Sequence, residues 1–411
     1  MNSLKPMLLT SLKSYNRSQF IKDVTAGIIV AIIALPLSIA LALASGVGPE
    51  AGIFTAIVAG FVISALGGSS VQIAGPTAAF ATIVAGIVAK DGMDGLVIAT
   101  ILAGIFLVLM GLCHFGSLIK FIPFTITTGF TSGIAVTIVI GQLKDFFGLT
   151  YPDGVKPIET TEKFRAVVEN FSTINIDALI VGSVSLAVLI IAPYIFKRIP
   201  GSLIAVIIGI LMVQFLPLKV STIGNLYTIS NSLPSFHLPA VSLEVVQNAL
   251  PNAFTIAVLA AIESLLSCVV ADGMLNGKHR SDMELVAQGA GNIASALFGG
   301  IPATGAIART AANIKNGGRT PIAGIVHSIT LVIVLVVLMP YAGMIPMPTI
   351  AAILFIVAYN MCQWHTFVKL VKTAPKSDII VLFASFILTV LFDLVVAIEI
   401  GMVLACLLFI K

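Results

Sequence analysis

Apolar stretches long enough to cross a lipid bilayer follow one another along most of this chain, and they leave few folds open to it. A spanning helix needs about 20 mostly apolar residues. Such stretches run at roughly 24–44, 95–113, 122–143, 177–195, 253–271, 320–339, 378–392 and 394–410. Shorter or Gly/Pro-cut apolar stretches lie near 51–66, 70–89, 201–216, 283–298, 301–314 and 347–361, which makes fourteen segments in all. Inside lipid every backbone polar group must be satisfied internally, so spanning segments are helices or closed barrels. The two-residue alternation of barrel strands is absent, and an all-α membrane fold follows.

Composition agrees. Hydrophobic residues make up 58% of the 411 and charged residues 10%, against about 25% charged in soluble domains. The net charge of +4 reads as membrane topology rather than nucleic-acid binding, because cytoplasmic loops collect Lys and Arg. With a cytoplasmic N-terminus, fifteen Lys and Arg fall on the inner side and six on the outer, with Arg309 left within the membrane. That bias predicts fourteen spans of a multi-pass inner-membrane protein with both ends cytoplasmic. The polar stretch at about 144–176 becomes an external loop, and a second one, at about 217–250, separates two halves. The first segment, with Lys5, Lys13 and Arg17, lacks the form of a cleavable signal peptide.

The halves share a pattern. Ala65-Leu66-Gly67-Gly68 is followed by Thr77-Ala78-Ala79, and Ala296 through Gly300 is followed by Thr310-Ala311-Ala312. Each half therefore has a Gly-Gly break, an irregular Pro/Gly stretch and a short helix opening near Thr-Ala-Ala. Seven spans per half is an odd number, so the second half lies inverted relative to the first. Paired, interrupted short segments are the sequence mark of a transporter's central site. The stretch 68–76 reads as extended chain with a helix from about Pro76-Thr77, and 300–306 as extended chain with a helix from about Ile307. Two helix starts near mid-membrane offer free N–H groups and positive dipole ends to an anion.

Arg309 falls in the first turn of the second short helix. A cation in mid-membrane is a functional candidate by default, and its planar fork suits an oxyanion; the structural alternative is an ion pair with Glu263. Glu263 lies in an apolar run, with Ser267 one turn further on the same face. It would carry a proton, hold a cation beside Ser267, or pair with Arg309. Glu399 lies near a membrane end and Asp393 at an external turn. Of the five histidines only His327 falls inside a span, where a helix–helix hydrogen bond is the first expectation. The four cysteines share no metal-like spacing, and no metal cluster, P-loop, nucleophile–base pair or dinucleotide fingerprint is visible, so neither a cofactor nor an enzyme is expected.

The residues 72–77 (Gln-Ile-Ala-Gly-Pro-Thr), 263–267 (Glu-Ser-Leu-Leu-Ser) with 271–274, and 299–304 running on through 308–313 (Ala-Arg-Thr-Ala-Ala-Asn) resemble the SulP anion transporter (sulfate permease) family over nearly the whole chain. The resemblance implies two inverted seven-helix repeats of the uracil-transporter type. It implies a core, 24–114 and 252–339, sliding as an elevator against a gate, 122–216 and 347–411, and a homodimer. It implies an anion between the third and tenth spans, held by Ser69 and Gln72 on one side and Gly305, Ala306, Ile307 and Arg309 on the other. Thr77 and Thr310, which open the two short helices, complete the expected substrate set. Glu263 and Ser267 match the family's ion-coupling positions, with Glu where sodium-coupled bicarbonate members carry Asp, and the 306–313 run looks most like proton-coupled C4-dicarboxylate members. Leu37 stands where many members have Gln, and the 411 residues hold no STAS regulatory domain after the last span.

The expected function is secondary active transport of a small inorganic or organic anion, sulfate or a C4-dicarboxylate, in symport with protons. Sodium-dependent bicarbonate uptake and an uncoupled anion channel are the alternatives.

Overall fold

The computed structural model describes residues 4–117, 124–152, 154–155, 157–196, 199–239 and 242–391. Eight helices among them are long and apolar enough to cross a membrane, and Gly201–Phe215 is a shorter apolar helix. The segment expected at 394–410, with Asp393 and Glu399, lies outside the described residues.

The chain divides into two compact units. The first comprises Met1–Phe80, Lys90–Lys120 and Ile229–Pro340; the second comprises Ala81–Ala89, Phe121–Thr228 and Tyr341–Lys411.

In the first unit Arg17–Ala44 begins seven residues before the expected span, because Asn16 caps it by accepting from Gln19 N at 2.9 Å. Pro49–Leu66 follows with Pro at its first position, where no N–H is needed. The chain then runs extended to a two-residue strand, β1 (Ala74–Gly75), and a 3₁₀ turn, Ala78–Phe80. Leu243–Leu275 starts at the Ser242 cap, well before the 253 expected, and carries Pro251 inside it. The proline removes one backbone donor from the helix. Ser281–Leu297 leads through a second extended stretch to β2 (Thr304–Gly305) and the nine-residue helix Ile307–Lys315, then Ile322–Ala342. Small residues let these helices touch: a Cβ on Gly289 would strike the Gly104 carbonyl.

Ala81–Leu112 is continuous in hydrogen bonding but breaks at Gly92, with φ 71° and ψ −171°, a conformation open essentially to glycine. The break keeps 70–89 and 95–113 as separate segments.

In the second unit Met347–Cys362 and Lys376–Leu391 pack on Phe124–Phe147, and Met347–Cys362 also packs on Ile176–Ile195. Ser185 and Thr349 hydroxyls meet at 2.8 Å across the last pair. The 144–176 loop is more ordered than its polarity suggests. It holds the helix Thr160–Glu169, started by a reciprocal capping box between Glu159 and Glu162. Trp364–Thr373, with Lys369 and Lys372 and no buried residue, is a further short helix that the span count left out.

Candidate functional site

The two broken stretches come together inside the first unit. β1 pairs antiparallel with β2, Ala74 opposite Gly305 and Gly75 opposite Thr304, and Ala306 N donates to Ile73 O at 2.9 Å. Irregular backbone at membrane depth survives only where its polar groups find partners. Here they find one another first and buried side chains second.

Most of those side chains come from one helix. Glu284, fully buried on Ser281–Leu297, accepts from Gly68 N (2.9 Å), Ser69 N (3.2 Å), Gln72 Nε2 (2.8 Å) and Gln288 Nε2 (2.8 Å). Two turns on, Asn292 satisfies both backbone groups of Ala303: its Nδ2 donates to the carbonyl at 2.9 Å and its Oδ1 accepts from N–H at 2.9 Å. Ser295 donates to Ile301 O at 2.8 Å, and Thr55 accepts from Ile301 N at 2.7 Å. The sequence reading passed over Glu284, Gln288 and Asn292. Their spacing of four residues inside an apolar run puts them on one helix face, and that was the available signal.

Successive strand residues face opposite sides, and the ladder uses both. On the Ala74/Gly305 side lies the Gln72 side chain, so close to Gly305 that a Cβ there would overlap it. On the Gly75/Thr304 side lies Arg309. Its guanidinium passes over Gly75, whose lack of a Cβ makes the space for Nη1. Nη2 donates to Ser38 Oγ at 3.2 Å and to the Pro76 carbonyl at 3.3 Å. Arg309 thus starts on one short helix and ends at the threshold of the other. It is 1% exposed, and Nε and Nη1 have no hydrogen-bond partner among the described residues. No ion pair joins it to Glu263 among the described residues, so the static pair weighed from sequence is not the arrangement found.

Glu263 instead accepts from Thr77 Oγ1 at 3.0 Å, and Ser267, one turn along Leu243–Leu275, donates to Thr310 Oγ1 at 3.4 Å. The two threonines of the repeated Thr-Ala-Ala pattern are thereby read by one helix at positions four apart. Thr310 also accepts from Ile73 N at 3.1 Å. The N–H groups of Ile307 and Ala308 form no hydrogen bond among the described residues, and Ile307 is 40% exposed, so this helix start is open.

The residues expected to hold substrate fall into two groups. Arg309 carries the unsatisfied nitrogens and Ile307 stands at the open helix start, while Thr77 and Ala306 are half-buried and hydrogen-bonded, to Glu263 and to Ile73 O. Ser69 and Gln72 are buried, and both are engaged with Glu284, by the Ser69 N–H and the Gln72 amide group. Gln72 also accepts from Cys268 Sγ at 3.4 Å and donates to Ser264 O at 3.2 Å. Gly305 and Thr310 are buried ladder and anchor positions. An arginine with two bare nitrogens beside an open helix N-terminus can bind an oxyanion through charge-assisted hydrogen bonds.

A family model described as the sulfate permease family matches residues 20–385. YvdB of Bacillus subtilis (strain 168), a protein named for sulfate transport, is 42% identical over 405 residues, covering 97% of this chain and 75% of its own. The bicarbonate transporter BicA of Picosynechococcus sp. is 33% identical over 394 residues, covering 93% and 69%. Among solved structures, the transmembrane domain of a cyanobacterial BicA superposes with TM-score 0.84 at 29% identity, over 93% of this chain and 98% of that one. Murine Slc26a9, in its inward-facing state, superposes with TM-score 0.89 at 20% identity, over 99% and 71%, a likeness of fold. That fold is two inverted repeats of seven transmembrane segments. The match runs through both stretches paired here by β1 and β2, and this chain belongs to the sulfate permease family of multi-pass membrane transporters.

Proposed function

We propose that this chain is a secondary active transporter whose anion binds at Arg309, beside the open start of Ile307–Lys315. The observation that carries the reading is the guanidinium itself: buried, without a carboxylate partner among the described residues, and with two nitrogens free. Leaving a full charge so placed is costly without a ligand to answer it. Sulfate and C4-dicarboxylates fit a bidentate cationic site.

Coupling is assigned to Glu263. A carboxylate held by a single threonine hydroxyl can exchange a proton without dismantling an ion pair. The first unit, which contains the ladder, Arg309 and Glu263, is the part that would carry the anion in an elevator motion, with the second unit as scaffold. In this reading the transporter works in the cell membrane, with both termini cytoplasmic and as a homodimer.

A second reading, sodium-dependent bicarbonate uptake, is favoured by the likeness to BicA. Uptake into proteoliposomes under imposed proton or sodium gradients separates the two. The proposal expects sulfate or fumarate uptake driven by an inward proton gradient and lost in Glu263→Gln. Uptake that follows only sodium, with bicarbonate as substrate, would replace it.

A further inference from the structure

The helix Trp364–Thr373 links Met347–Cys362 to Lys376–Leu391 and buries none of its own residues. Ten helical residues measure about 15 Å, about half the hydrocarbon thickness of a bilayer, so this helix cannot cross one. Gln363, in the left-handed region with φ 45° and ψ 46°, ends Met347–Cys362 and breaks the helical path before Trp364. A short helix set between two apolar ones lies at an edge of the membrane. In the topology read from Lys and Arg, that edge is the cytoplasmic one.

Its two faces differ. His365, Lys369 and Lys372 are exposed and stand four and three residues apart, which makes them one stripe. Lys376, also exposed, follows at the start of the next helix. Phe367, Leu370 and Val371 take the opposite side and are half-buried. Phe367 pins that side down, its ring centroid 5.8 Å from Phe383 and 5.7 Å from Phe386. Trp364 lies parallel to Phe367 at 6.4 Å and is still 57% exposed. None of the three lysines forms an ion pair among the described residues. The sequence holds no Asp or Glu between Glu284 and Asp378, and Asp378 is half-buried in the first turn of Lys376–Leu391.

We propose that Trp364–Thr373 is an interfacial helix that binds an anionic phospholipid surface. Lys369, Lys372 and Lys376 take the headgroup phosphates, and Trp364 sits where headgroups meet acyl chains. Charge complementarity selects this occupant. A basic stripe backed by an apolar face is the form of helices that lie in the membrane interface. A layer of phosphates answers lysines that have no carboxylate of their own. The tryptophan ring, apolar with a single N–H, favours the same depth. An acidic protein would answer the lysines and leave Trp364 in water. The helix belongs to the second unit, and its role is to hold that unit at the bilayer surface. The inference does not depend on where the transported anion binds.

Trp364 is the one tryptophan of the chain, so intrinsic fluorescence reads this helix alone. The test reconstitutes the full chain in vesicles of phosphatidylcholine and phosphatidylglycerol in equal parts, with one lipid or the other brominated near the headgroup end of its acyl chain. Brominated phosphatidylglycerol is expected to quench Trp364 more strongly than brominated phosphatidylcholine. The expected relative affinity is about fivefold, the worth of one lysine at an anionic surface. It falls toward one at about 1 M salt, where the Debye length is about 3 Å, and in the triple variant Lys369→Gln, Lys372→Gln, Lys376→Gln. Should that variant not fold, Lys369→Gln alone is expected to lose part of the preference. Equal quenching by the two lipids in the parent protein would overturn the proposal, as would a preference that both variants keep in full. Trp364 left unquenched by either lipid but quenched by aqueous iodide would also overturn it, and would assign the helix to a soluble partner.

Discussion

Gly75 lies directly beneath Nη1 of Arg309, closer than any side chain would permit. Its partner in the ladder is Thr304, so the space under the guanidinium is set by the pairing of the two repeats. Gly75→Ala would push the guanidinium aside while leaving an ordinary strand backbone. Because Arg309 is a flexible side chain, the displacement costs little in folding. The expected result is at least a tenfold loss of sulfate affinity, about 1.4 kcal/mol, by calorimetry, with a melting temperature close to that of the parent protein.

Glu284 anchors the other side of the ladder by accepting four hydrogen bonds without a cation. Glu284→Gln would turn an amide group toward donors that need an acceptor. Stability is expected to fall by about 2–4 kcal/mol, on the scale of an unsatisfied hydrogen bond to a charged group, measured by equilibrium unfolding in detergent. A neutral effect would show that Gly68 and Ser69 find other partners.

Asn292 supplies both hydrogen bonds to Ala303. Asn292→Leu keeps the size and removes both, leaving one donor and one acceptor buried and unpaired. The expected cost is about 2–4 kcal/mol in the same unfolding measurement.

Tyr15 donates to Asp23 at 3.0 Å, ahead of the first long helix. Burial, and after it the Asp23 charge, pushes the Tyr15 hydroxyl up from 10.0 to about 12. A raised folded-state value contributes stability that is whole below the unfolded value and is lost as pH rises through the folded one. The contribution of Tyr15 is therefore present below pH 10 and disappears toward pH 12. The difference in melting temperature between the parent protein and Tyr15→Phe is expected to shrink across that window, and a difference that grows there would contradict it.

What the sequence disclosed follows from period and punctuation. The Gly-Gly breaks pointed to both extended stretches, and Ile307 begins its helix where expected, whereas the helix expected from Pro76-Thr77 starts as a 3₁₀ turn at Ala78 and becomes α-helical from Ala81. Arg309 was legible because a lone cation in an apolar setting has few innocent uses. Its true surroundings were not, since the contacts with Ser38 and Pro76 join positions more than two hundred residues apart. Glu284 and Asn292 stayed hidden for a related reason. Read singly they are polar residues of an interrupted helix, and their role exists only once the loops they satisfy are folded against them. Ser69 and Gln72 were expected on the substrate side, yet the four donors gathered by Glu284 include the amide group of one and the backbone of the other.

Selenate, a heavier stand-in for sulfate, reports directly on Arg309. A structure of the protein saturated with selenate, with the heavy atom located by its anomalous signal, is expected to show selenate oxygens about 3 Å from Arg309 Nε or Nη1, and none in Arg309→Ala. Selenate bound with full occupancy away from Arg309, or retained unchanged in that variant, would contradict the account.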